Sequence, residues 1–132
     1  MAKISVNELM EYFEYTLSQC GDYLLDMTDA DIGYHLLEEF DVGMPFLGDD
    51  ALTRLKDAKL ITEAIANKSS QLKHHYMSLQ NTPLWDVTVV KTAPEWREIL
   101  ELSDDIKKLL DTPKQIAEYM IHIDEAVSAS YN

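Results

Sequence analysis

The apolar positions of this chain recur at intervals of three and four residues, the spacing that predicts amphipathic helices. The first stripe follows a capping box, Ser5-x-x-Glu8, whose hydroxyl and carboxylate satisfy N–H groups of the first helical turn. The stripe continues through Gly21 and predicts a helix over about residues 6–26, with an earlier end at Gly21 as the alternative because glycine disfavours a helix interior. Its apolar members are Val6, Leu9, Met10, Phe13, Leu17, Cys20 and Leu24.

Four further helix starts carry a threonine or an aspartate that can cap the first turn. They are Thr28, Asp49 or Asp50, Thr62 and Thr92. The helix that opens at Thr28 is predicted to end before the loop 41–48, whose apolar side chains should pack back into the core. The helix capped by Thr62 covers about residues 63–80. An apolar connector over residues 84–90 then leads to the fifth helix.

The sequence Thr112-Pro113-Lys114-Gln115 repeats the capping pattern with proline in the first turn, and it predicts a sixth helix. A connection this short makes the fifth and sixth helices an antiparallel hairpin. The chain is therefore predicted to be an all-α, single-domain bundle of five to six helices that spans residues 1–132. The buried stripe of the sixth helix consists of Ile116, Met120, Ile123 and Val127.

The composition favours a folded domain in a reducing compartment. Apolar residues make up 46% of the 132 residues, with only 4 Gly and 4 Pro, so the chain can bury a core of its own. Its single cysteine, Cys20, excludes an internal disulfide framework and a cysteine-based zinc site, which favours the cytoplasm. No run approaches the ~18 uncharged residues of a membrane span and no signal sequence is recognisable, so we expect a soluble cytoplasmic protein.

Negative charge is concentrated in the first part of the chain. The formal net charge is −13, and the first 50 residues contribute −11 of it through twelve acidic residues and one lysine. The other 82 residues hold twelve acidic residues and ten basic ones. This excess opposes direct binding to nucleic acid, whose phosphates attract Lys and Arg. Concentrated like charge is typical of a surface that binds a basic partner, and an ordinary solvated face is the alternative.

Two tyrosines stand among the acidic residues when the first two helices are drawn at about 100° per residue. Tyr15 lies opposite the apolar stripe of the first helix, and Tyr34 lies opposite that of the second. Exposed tyrosines are typical anchors of interfaces, and carboxylates around them steer a basic partner. The predicted partner-binding residues are Glu8, Glu11, Tyr15, Asp22, Asp26, Asp31, Tyr34, Glu38 and Asp41.

Helix length and packing decide how this face forms. Asp22 and Asp26 join it only if the first helix continues past Gly21. Either predicted tyrosine is instead packed if the loop after the second helix or the C-terminus of the chain covers it. The other two tyrosines of this region, Tyr12 and Tyr23, lie near the edge of the apolar stripe, and we expect both to be packed.

Motifs for metal binding and catalysis are weak. Carboxylate and imidazole share a helical face in His35-x-x-Glu38 and in Glu118-x-x-x-His122. Neither has the Glu-x-x-His order of helical di-iron sites. The acidic pairs with which all-α nucleotide pyrophosphohydrolases hold magnesium occur as Glu8-x-x-Glu11, Glu95-x-x-Glu98 and Glu101-x-x-Asp104. The last two lie on an outer face among basic residues, so we expect no metal, no cofactor and no catalytic residue.

These features favour a binding protein over an enzyme. In size, helicity and acid-plus-tyrosine faces the chain resembles the small acidic helical immunity proteins with which bacteria neutralise toxins. The resemblance implies a non-enzymatic inhibitor that covers the basic cleft of a nuclease, with carboxylates in place of phosphates. The alternatives are a structural or adaptor homodimer, built on the apolar loop and the C-terminal helix, and a metal-dependent pyrophosphohydrolase.

Overall fold

Five helices joined by short turns make up the described part of the chain. The computed structural model describes the backbone of residues 4–127 and the side chains of residues 4–111. The helices are α1 (Val6–Ser18), α2 (29–42), α3 (Asp49–Asp57), α4 (Glu63–Leu79) and α5 (Pro94–Val127). Short 3₁₀ turns cover Asp22–Asp26, Met44–Leu47 and Val87–Val89. The predicted all-α bundle is confirmed, and residues 4–127 contain no strand.

The capping residues are predicted well at some helix starts and poorly at others. Ser5, Thr28 and Thr62 accept hydrogen bonds from the N–H groups of Glu8, Asp31 and Ile65 at 3.1, 3.2 and 3.2 Å. Helix α3 begins at Asp49 with Gly48 as its N-cap, so its aspartates lie inside the first turn. The Thr92 hydroxyl donates back to the Val89 carbonyl instead of capping α5.

One apolar core joins these elements. Helix α1 packs on the turn Met44–Leu47 and on α3, α3 packs on α4, and α4 packs along α5. The loop after α2 contributes to this core as predicted, because Met44 and Leu47 are buried and Phe46 is half-buried. Val42 is the exception in this segment and is 72% exposed.

An aromatic cluster joins α2, α4 and α5. The Tyr76 ring meets Phe40 edge-on at 4.7 Å and Trp96 at 6.0 Å between ring centroids. The Tyr76 hydroxyl donates to the Leu36 carbonyl at 2.6 Å, and Trp96 Nε1 donates to the Leu84 carbonyl at 2.6 Å. The polar atoms of both buried rings are therefore satisfied, which removes the cost of burying them.

Helix α1 ends at Ser18, so the prediction that it continues to residue 26 is wrong and the end near Gly21 is the better alternative. Side chains of α5 supply the reason. Ser103 Oγ donates to the Cys20 carbonyl at 2.8 Å, and Lys107 Nζ donates to the same carbonyl at 2.7 Å. Carbonyls at a helix end need such partners, and α5 provides them where the helix stops.

A side chain at Gly21 would displace the ends of two side chains of α5. Gly21 has an extended backbone that any residue can adopt, with φ of 168°. A Cβ atom on it would lie 2.6 Å from Asp104 Oδ1 and 2.6 Å from Lys107 Nζ, which form an ion pair at 3.1 Å. Asp104 also accepts from the Asp22 N–H at 3.0 Å. Residues 22–26 therefore form a turn against α5 and do not continue α1.

The predicted hairpin of a fifth and a sixth helix is also wrong. Helix α5 runs without a break from Pro94 to Val127, and Thr112-Pro113 lies inside it. Proline in a helix interior removes one backbone hydrogen bond and costs ~3 kcal/mol, but it does not always end a helix. The predicted buried stripe of the sixth helix concerns side chains outside the described residues.

Removal of the Ser103 hydroxyl should destabilise the end of α1. Ser103→Ala removes one of two donors to the buried Cys20 carbonyl and leaves Lys107 as the other, so we expect the free energy of unfolding to fall by about 0.5–1.5 kcal/mol. Ser78→Ala is the matched control, because the exposed Ser78 hydroxyl donates only to a carbonyl of its own helix. Urea denaturation followed by circular dichroism compares the two variants, and equal losses would contradict this role of Ser103.

Candidate functional site

An apolar groove of about 430 Å³ opens between α1 and the end of α2. Three aromatic rings and one aliphatic side chain line it, and each wall carries one carboxylate. These residues are Tyr12, Tyr15, Phe46, Val42, Glu11 and Glu39. Tyr12 stacks on Phe46 with their ring centroids 5.0 Å apart and their planes 21° apart. The groove thus combines an apolar interior with negative charge on both sides.

The two walls meet at a very close contact below the groove. Thr16 of α1 is buried and faces Gly43, the residue that ends α2. A Cβ atom on Gly43 would lie 2.3 Å from Thr16 Oγ1 and 2.8 Å from its Cβ atom. The Thr16 hydroxyl donates to the Tyr12 carbonyl at 2.7 Å, which fixes its rotamer. Only glycine therefore allows this spacing of the walls.

The tyrosines of this region are exposed. Tyr15 and Tyr34 are each 50% exposed, so neither is covered by the loop after α2. The prediction that Tyr12 and Tyr23 are packed is wrong, because they are 44% and 40% exposed. Phe46 covers one face of the Tyr12 ring and leaves the other in the groove. Tyr23 leaves the helical register with the turn after α1, and its hydroxyl donates to the Ser18 carbonyl.

A π-helical stretch changes the register of α2. The helix is α-helical over Asp29–Ile32, π-helical over Gly33–Glu39 and α-helical again over Phe40–Val42. The Phe40 N–H donates to the His35 carbonyl five residues earlier. This wider turn rotates every later side chain relative to a regular α-helix. Positions counted on a regular wheel are therefore displaced after the π stretch.

Glu39 and Asp41 show the effect of this rotation. Glu39, five residues after Tyr34, comes beside the tyrosine hydroxyl and also reaches the groove. Asp41 turns partly inward, where Gln80 Nε2 donates to its carboxylate at 2.6 Å. Asp41 and Glu39 are both half-buried, but Asp41 is bound by Gln80, while Glu39, which the regular wheel did not select, lies beside Tyr34 and lines the groove.

Carboxylates around Tyr34 raise the pKa of its hydroxyl. A hydrogen bond to Glu39 raises the pKa of Tyr34 above its ordinary value, and the negative charge of Glu39 adds to the rise. Smaller contributions come from Tyr15 and from Glu38. Because Tyr15 belongs to α1, its contribution shows that the two tyrosines lie within Coulombic range of each other across the two helices.

The predicted residues other than Asp41, which Gln80 binds, lie in different places. Glu11, Tyr15, Tyr34 and Glu38 come together on the surface shared by α1 and α2, and Asp31 is exposed at the start of α2. Glu8 is exposed, and its carboxylate accepts from the Ser5 hydroxyl at 3.2 Å, not from the backbone N–H that the capping box predicts. Asp22 and Asp26 lie on the turn against α5. Because α1 ends before them, they do not share a helical face with Tyr15, as the prediction required.

Sequence reasoning missed Tyr12, Glu39, Val42 and Phe46. A signal existed for Tyr12, which stands four residues after Glu8 and three before Tyr15 and so shares their helical face. Glu39 depends on the π stretch, and Phe46 depends on how the loop folds back on α1. Neither of these follows from a regular helical pattern.

The structure also gives the surroundings of the acidic motifs on α5. Residues 4–111 hold no group of three or more His, Cys, Asp or Glu side chains that could bind a metal. Glu95, Glu98 and Glu101 are exposed along α5, and Asp104 pairs with Lys107. None of the described helices is long and apolar enough to cross a membrane.

Comparison with protein-family models, with curated proteins and with solved structures found no match. The function is therefore inferred from the residues of this chain alone.

The spacing of the groove walls should depend on Gly43. Gly43→Ala places a methyl group against the buried Thr16 side chain and pushes α1 from the end of α2, so we expect the free energy of unfolding to fall by about 1–3 kcal/mol. Gly33→Ala is the control, because its methyl group would meet only Val87 Cγ2 at 4.0 Å and alanine favours the helix. If urea denaturation shows Gly43→Ala to be as stable as Gly33→Ala, the contact of Gly43 with Thr16 does not set the spacing of the walls.

The thiol of Cys20 should be inert in the folded protein. Burial raises its pKa from 9.0 to about 12, against the smaller opposing effects of Ser103 and Lys107. Because the raised pKa belongs to the folded state, the buried neutral thiol costs no stability below pH 9, where the thiol of the unfolded chain is also protonated. At higher pH only the unfolded chain ionises its thiol, so the free energy of unfolding falls by about 1.4 kcal/mol per pH unit.

Two measurements check this prediction. An aromatic disulfide reagent at pH 8 should label Cys20 only at the rate of unfolding. Between pH 9 and pH 10, the urea midpoint should fall more steeply for the native chain than for Cys20→Ala. Rapid labelling without urea, or parallel pH profiles, would count against a buried thiol.

Proposed function

We propose that this protein is a non-enzymatic acidic binding module whose α1–α2 surface docks a basic protein, and that this partner is a nuclease toxin that the module neutralises. The observation that carries the proposal is the cluster of Tyr15 and Tyr34 with Glu11, Glu38 and Glu39 around an apolar groove. Tyrosines supply contact area at low entropic cost, and the carboxylates attract a basic surface.

The distribution of exposed apolar side chains supports an interface over a merely solvated face. In the described part of the chain, seven large apolar side chains are exposed, and five of them lie in the first 50 residues. These five are Tyr12, Tyr15, Tyr23, Tyr34 and Val42. The same 50 residues carry a net charge of −11. A surface that served solubility alone would not gather its exposed rings where its charge is highest.

The alternatives receive less support. A homodimer built on the apolar loop would need that loop at the surface, but Met44 and Leu47 are buried within the chain. The other half of that proposal concerns C-terminal side chains outside the described residues. A pyrophosphohydrolase would need acidic pairs that face each other across an inner cleft, whereas Glu95, Glu98 and Glu101 point outward along α5.

Affinity capture with charge-matched variants tests the proposed function. The tagged protein is incubated with its native lysate at low salt and at about 0.5 M salt, where screening weakens charge-steered binding. One variant removes three charges from the proposed surface, Glu11→Gln, Asp31→Asn and Glu38→Gln. Its control removes three from the outer face of α5, Glu95→Gln, Glu98→Gln and Glu101→Gln. A third variant combines Tyr15→Ala and Tyr34→Ala.

We expect the native chain and the α5 control to recover one basic protein at low salt, and the other two variants to lose it. The recovered protein is then assayed for nuclease activity with and without the native chain, and inhibition is the expected result. If both charge variants lose the partner equally, net charge alone explains the binding. If no form recovers a partner at any salt concentration, the proposal fails.

A further inference from the structure

We propose that the groove between α1 and α2 binds a basic amphipathic segment of the partner, with an apolar side chain in the groove and an arginine beside it on each carboxylate wall. This inference rests on the proposed function and names the chemistry of the docked segment. It concerns binding in the groove lined by Tyr12, Tyr15, Val42 and Phe46. Such binding is distinct from the attraction of charges over the whole surface.

The size and lining of the groove select an apolar anchor. Its volume of about 430 Å³ suits one or two side chains and lies in the range of specific pockets, about 300–1,000 Å³. Aromatic rings and Val42 form its interior, so a buried charge there would lose its hydration without compensation. The part of the partner that enters the groove is therefore apolar.

The carboxylates select basic residues beside that anchor. Glu11 stands on the α1 wall and Glu39 on the α2 wall, so a segment that crosses the groove meets negative charge on both sides. Arginine suits these positions better than lysine, because its planar guanidinium stacks on tyrosine faces and forms paired hydrogen bonds with a carboxylate. Tyr15, which is half-exposed at the groove, offers such a face.

The groove is fixed before any segment binds. The contact of Thr16 with Gly43 sets the distance between the walls, and the stack of Tyr12 on Phe46 holds one side of the interior. Glu39 is held beside the Tyr34 hydroxyl. A preformed site loses little conformational entropy on binding, which favours a short segment as its ligand.

Titration with three synthetic 14-residue peptides, followed by NMR of the labelled full chain, tests this inference. The first peptide is an amphipathic helix of leucine and arginine. The second replaces leucine by serine and keeps the positive charge, and the third replaces arginine by glutamate and keeps the apolar face. We expect the first peptide alone to shift the amide signals of Val42 and Gly43 in a saturable way, with at least tenfold higher affinity than either of the others.

Two variants and a control locate the binding. Tyr12→Ala should weaken the first peptide at least tenfold, and Glu39→Gln, which keeps the shape of the side chain, should weaken it at least threefold. Tyr23→Ala removes a tyrosine of similar exposure outside the groove and should change the affinity less than twofold. The backbone spectrum of each variant shows whether its fold is retained.

The remaining outcomes overturn the inference in distinguishable ways. Equal binding of the serine peptide means that charge alone acts, which leaves the proposed function standing without the groove. Equal binding of the glutamate peptide means an apolar pocket with no preference for basic segments. If the amide signals of the groove shift with protein concentration in the absence of peptide, the groove binds a second copy of this chain. In the lysate experiment, the remaining outcome is that the charge variant of α1 and α2 loses the partner while Tyr12→Ala still recovers it. The proposed function then stands, but the groove takes no part in it.

Discussion

The close contact of Thr16 with Gly43 holds together two helices that carry the same charge. Two like charges about 4 Å apart repel by about 1 kcal/mol in water, and by less at larger separations. Phe13 and Leu17 of α1 and Phe40 of α2 are fully buried in the common core, which opposes the repulsion. The acidic surface is therefore stabilised from below by apolar packing.

Helix α5 determines where that packing can occur. Its Ser103 and Lys107 satisfy the carbonyl that follows α1, and its Asp104 binds the first N–H of the next turn. The chain reverses at this place, and α2 returns beside α1. Gln19 Oε1 lies 2.7 Å from His35 Nδ1 across the two segments. A polar cluster on the far side of α1 thus fixes the geometry of the groove.

Local patterns in the sequence predict the helices and several caps, because helical periodicity and capping involve neighbours three or four residues apart. They do not predict the end of α1, which depends on side chains of α5 more than 80 residues away. They also miss the π stretch, which moves Glu39 to Tyr34 and turns Asp41 inward. Tyr15 could be identified because it precedes the end of α1. Tyr34 could be identified because it lies at the start of the π stretch, before the rotation accumulates. The groove itself required the fold of the loop that carries Phe46.

The charge and the groove act over different distances, so they govern different steps of binding. Carboxylates on α1 and α2 attract a basic surface over roughly a Debye length, about 8 Å at physiological salt, and so mainly raise the association rate. Aromatic contacts in the groove operate only at van der Waals distance and so mainly lower the dissociation rate. A surface with charge alone would release its partner quickly and would accept many basic proteins. The rings beside the carboxylates are what would make such an acidic surface selective.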